Sequence, residues 1–71
     1  MLSAFVAQDF LLALNLAQDA LSQDSFRHLA ALILLQSVHR LSLDYDSYWR
    51  TVVEAFNLPE SQLPEEIVLV G

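Results

Sequence analysis

The run Leu29-Ala30-Ala31-Leu32-Ile33-Leu34-Leu35 constrains this chain more than any other feature. Wound as an α-helix, it points apolar side chains in every direction over nearly two turns. A helix that is apolar all round has to be covered on all sides. The run is short enough to be a buried strand. Leu and Ala outnumber β-branched residues in it, however, and neither flank carries Gly or Pro, so helix is the expected state. Such a helix is either the central element of the fold or packs against a partner chain.

Two further helices are expected around it. In the first, about residues 3–21, Val6, Phe10, Ala13, Leu14, Ala17, Ala20 and Leu21 share one face, and Gln8, Asn15, Asp19 and Ser22 lie opposite. Ser3 is the expected N-cap. Phe5, Leu12 and Leu16 form a second stripe, which reads as a wide core face or as a seam for another chain. The link Ser22-Gln23-Asp24-Ser25 has turn chemistry, with Asp24 or Ser25 capping the central helix over about 25–41. The third helix, about 44–57, is the most regular. Tyr45, Tyr48, Trp49, Val52, Val53 and Phe56 follow the helical series, with Asp46, Ser47, Arg50 and Glu54 opposite. Asn57 and Pro59 end it.

The tail from Glu60 onward mixes signals. Pro64-Glu65-Glu66 looks like the first turn of a helix, whereas Ile67-Val68-Leu69-Val70 has strand-like composition. A short fourth helix or an extended packed tail is expected. A lone strand would have to pair with a copy of itself or with a partner's sheet. The fold class expected is thus all-α: one domain over residues 1–71, a small antiparallel three-helix bundle with a C-terminal tail or short fourth helix.

Composition narrows the function classes. The single Gly is Gly71 and Cys is absent. Phosphate-cradling Gly loops, thiol catalysis and thiolate metal sites are therefore excluded, and interior turns must reach positive φ without Gly. The net charge is −6, and the basic residues are Arg27, Arg40 and Arg50 alone. That balance disfavours nucleic acid and anionic membranes as partners. A basic leader region is missing and Gln8, Asp9, Asn15, Gln18 and Asp19 interrupt the longest apolar stretch. A cytoplasmic protein without membrane insertion is expected.

No catalytic residue, cofactor or metal ligand is expected. His28 and His39 lie about 16 Å apart on one helix face, too far to share an ion within one chain. Ser3, Ser25, Ser42 and Ser47 sit near helix starts, where capping accounts for them. The pairs Asp44/Asp46 and Glu65/Glu66 lack the desolvated setting that acid–base chemistry needs.

What remains is apolar surplus: 55% of the residues are hydrophobic, and a domain this small hides only about 60% of its unfolded surface. The expected function is a non-catalytic protein–protein interaction module, a small acidic adaptor or regulator acting as a homodimer or as a subunit of a larger complex. The expected interface residues are Phe5, Leu12, Leu16, Leu32, Leu35, Tyr48, Trp49, Ile67 and Leu69, with the central helix and the outer stripe of the first at the seam. Two alternatives stay open: an acidic inhibitor mimicking nucleic acid, and a small carrier of a hydrophobic ligand.

Overall fold

A computed structural model of the chain describes residues 1–70, with Gly71 outside the described residues. The chain forms helices α1 (Leu2–Val6), α2 (Phe10–Ala20), α3 (Arg27–Leu41), α4 (Tyr45–Phe56) and α5 (Glu65–Val70), with a 3₁₀ turn at Glu60–Gln62. There is no strand among the described residues. The protein is a small all-α bundle.

The helix expected over 3–21 is two helices. Gln8 takes the left-handed conformation, at φ 64°. Its amide donates to the Phe5 carbonyl, and the amide of Asp9 donates to that of Ala4 at 2.9 Å. This paired closure is a Schellman ending with Gln where Gly is commonest. Asp9 then begins α2, its carboxylate accepting from the Leu12 amide at 3.4 Å. The break rotates α1 relative to α2. Val6, which a continuous helix would place on the buried face, is 73% exposed instead.

Ser42 and Asn57 close α3 and α4 in the same left-handed conformation. In a chain without interior Gly, Gln, Ser and Asn fill this role. Two expected caps differ. Helix α1 begins at Leu2 rather than after Ser3, and no side chain caps α3. Asp24 instead accepts from Arg27 Nη2 at 2.7 Å. The Asp44 carboxylate accepts from Ser47 Oγ rather than from a backbone amide.

Helix α3 is the centre of the bundle, touched by α1, α2, α4 and α5. Ala30, Ala31, Leu34, Leu35, Ser37 and Val38 are all fully buried along it. Helix α2 runs antiparallel to α3. Its small residues Ala13 and Ala17 are buried too, letting the two backbones approach closely. The pair is fixed at both ends. Arg40 lies over the Phe10 ring at 5.6 Å, and Arg27 Nε donates to the Leu21 carbonyl at 2.9 Å. Helix α4 adds Val52 to the core. The tail folds back onto α4 and α3. Trp49 Nε1 donates to Glu60 Oε1 at 2.9 Å, Leu63 and Ile67 are buried, and Glu66 Oε2 meets His28 Nε2 at 2.5 Å. The tail is therefore a short helix, and its buried residue Ile67 packs toward α3.

Leu35 and Ile67, expected at a seam with another chain, are both 0% exposed. The chain covers them itself. The expectation of three helices left too few neighbours to cover α3. The break at Gln8 and the folding of the tail supply two more.

Candidate interaction surface

With most of α3 enclosed, the exposed apolar side chains lie mainly on the outer elements, together with Leu29 at the start of α3 and Phe26, Leu43 and Leu58 in the links. On α2, Leu12 and Leu16 stand one turn apart, 47% and 38% exposed. Leu12 lies on the side away from the buried Ala13, Leu14 and Ala17, and Leu16 flanks that buried face. Asp9 and Asp19 are exposed on the same side as the two leucines. Helix α1 exposes Leu2 and Val6, also one turn apart, and Leu11 is exposed at the start of α2. The first sixteen residues thus present five large apolar side chains to solvent.

The remaining expected interface residues divide. Phe5 is half-buried, edge-on to Phe10 with ring centres 5.6 Å apart. Leu32, Tyr48 and Trp49 are half-buried against the core cluster. Leu69 is exposed on α5 beside Val68. Leu2, Val6 and Leu11 were not anticipated. The signal for them was Gln8-Asp9 itself: an Asp three residues before Leu12 can cap a new helix, and a new helix re-aims everything before it.

The aromatic stripe of α4 is partly structural. The Tyr45 ring stacks on His39 at 4.9 Å and on Trp49 at 6.1 Å. The phenol oxygen of Tyr45 is buried without a hydrogen-bond partner, as is Ser37 Oγ. Desolvation, helped by the nearby Asp46 carboxylate, raises the Tyr45 pKa above its ordinary value.

Two surface grooves carry mixed linings. One, of about 360 Å³, lies between α2, α3 and α4 and includes Gln18, Arg27, Thr51 and Glu54. The other, of about 260 Å³, is bounded by Asp46, Trp49, Arg50, Val53 and Glu60. Neither has the Leu- and Phe-lined interior of a lipid carrier. Among the described residues no three His, Asp or Glu side chains converge as a metal site, and no helix is long and apolar enough to cross a membrane.

No known protein family, curated protein or solved structure matches this chain.

Proposed function

We propose that this protein is a non-catalytic protein–protein interaction module, working as a subunit of a larger assembly through the outer side of α1 and α2. The observation that carries this reading is the exposure of Leu12 and Leu16 beside a core that is already enclosed. Single exposed leucines are ordinary, whereas grouped ones on one element mark interaction surfaces. Four of the nine carboxylates already meet another side chain of the protein, namely Asp24, Asp44, Glu60 and Glu66. That favours an interaction module over an inhibitor whose acids imitate a phosphate backbone.

The test is site-specific photo-crosslinking in the native cell. A photoreactive residue at position 12 or 16 is expected to give a discrete adduct, identified by mass spectrometry. The same residue at Gln36, exposed on α3, is expected to give none. Equal diffuse labelling at all three positions would overturn the reading.

A further inference from the structure

The outer side of α2 carries Asp9, Leu12, Leu16 and Asp19, at spacings of three, four and three residues. At 100° per residue all four fall within about 80° of one another. All four are exposed, and the side turned to α3 holds the buried Ala13, Leu14 and Ala17. The two leucines form an apolar pair, and a carboxylate stands at each end, about 15 Å from the other.

The surrounding charge is one-sided. Residues 1–26 contain no Lys or Arg. Arg27 is held by Leu21 and Asp24. Arg40 lies over Phe10, on the α3 side of α2. A second copy of the chain seated on this stripe would set carboxylate against carboxylate in either orientation: Asp9 against Asp19 when antiparallel, like against like when parallel. Each copy carries a net charge of −6. Like charges brought together at an interface disfavour it.

We propose that this stripe receives an amphipathic helix of a different protein, one that presents two apolar residues between two basic ones at the matching spacing, Lys/Arg-x-x-Leu-x-x-x-Leu-x-x-Lys/Arg. The spacing reads the same in both directions, so parallel and antiparallel docking both bring a cation to each carboxylate. Apolar contact supplies the affinity, and the two end pairs set register and exclude acidic helices. This inference rests on the interaction-module reading and adds the chemistry of the partner.

The probe is a capped, alanine-hosted peptide with the sequence pattern Lys-x-x-Leu-x-x-x-Leu-x-x-Lys, titrated into the full chain. Binding is followed by fluorescence anisotropy and by amide chemical shifts. The expected result is saturable binding with shifts concentrated on α2, weakened by salt and absent for the same peptide with Glu in place of both Lys. Asp9→Asn with Asp19→Asn should weaken binding about fivefold or more. Asn is as good an N-cap as Asp, so α2 persists, as circular dichroism will check.

Equal binding of the Lys and Glu peptides, shifts centred off α2, or a wild-type dimer formed through α2 would overturn the basic-helix inference. So would failure of the Lys peptide to bind. If position 12 still gives its discrete adduct in cells, the interaction-module reading stands without the inference. If it gives none, both fall.

Discussion

Arg27 Nε donates to the Leu21 carbonyl oxygen at 2.9 Å, while its Nη2 holds the Asp24 carboxylate at 2.7 Å. One side chain thus satisfies a carbonyl left open at the end of α2 and ties down the turn that leads into α3. A cation there also complements the negative end of the α2 dipole.

Replacing Arg27 by Met keeps the aliphatic stem and removes both donors. Leu21 is buried, and a hydrogen bond from a charged group in such a place is worth about 1.5–3 kcal/mol. Urea denaturation should show that loss. Asp24→Asn touches an exposed partner and should cost less than about 1 kcal/mol. Equal effects of the two changes would mean that the carbonyl contact contributes little.

Gln8 occupies a left-handed position that costs a residue with a Cβ about 1–2 kcal/mol. Gln8→Gly relieves this, less the greater freedom of Gly in the unfolded chain, and should stabilise by about 0.5–1 kcal/mol. If residues 3–21 were one continuous helix, Gly would instead destabilise by about 1 kcal/mol. The sign of the change in thermal midpoint decides between them.

That break marks the boundary of what the sequence made legible. Helix α4 was read almost to the residue, because its apolar face is strictly periodic and Asn57 with Pro59 ends it. The α2–α3 turn was equally plain from Ser22 to Ser25, although its capping was not: Asp24 binds a side chain instead of an amide. The break at Gln8 was hidden because neither Gly nor Pro marks it, and Val6 and Phe10 kept helical spacing across it. From that miss followed the others. With α1 hidden and the tail legible only as a short helix or an extended packed segment, α3 has too few neighbours in the sequence, and Leu35 and Ile67 read as contacts with a partner. The stripe at Leu12 and Leu16 was visible in projection, but its exposure depended on which side of α2 the rest of the chain covers.

Tyr45 gives a pH signature. Burial, and then Asp46, raise its pKa, so the folded state favours the neutral phenol. A group raised on folding contributes its stability fully below its unfolded value, and loses it as pH rises through the folded value. Stability should therefore fall above about pH 10, the ordinary range of tyrosine. Tyr45→Phe should make that alkaline limb shallower. At neutral pH the same change removes a buried hydroxyl without a partner and should leave stability unchanged or raised. A clear loss at neutral pH would show that the hydroxyl is satisfied in solution.

The central claim is that Leu12 and Leu16 serve a surface beyond this chain and not its own core. The most direct measurement is the unfolding free energy of the Leu12→Gln, Leu16→Gln double variant. Exposed positions away from the core tolerate substitution within about 0.5 kcal/mol each, so the expected result is a total change below about 1 kcal/mol. A loss of about 4 kcal/mol or more, the scale of two buried leucines replaced in a core, would contradict it and return both residues to the interior.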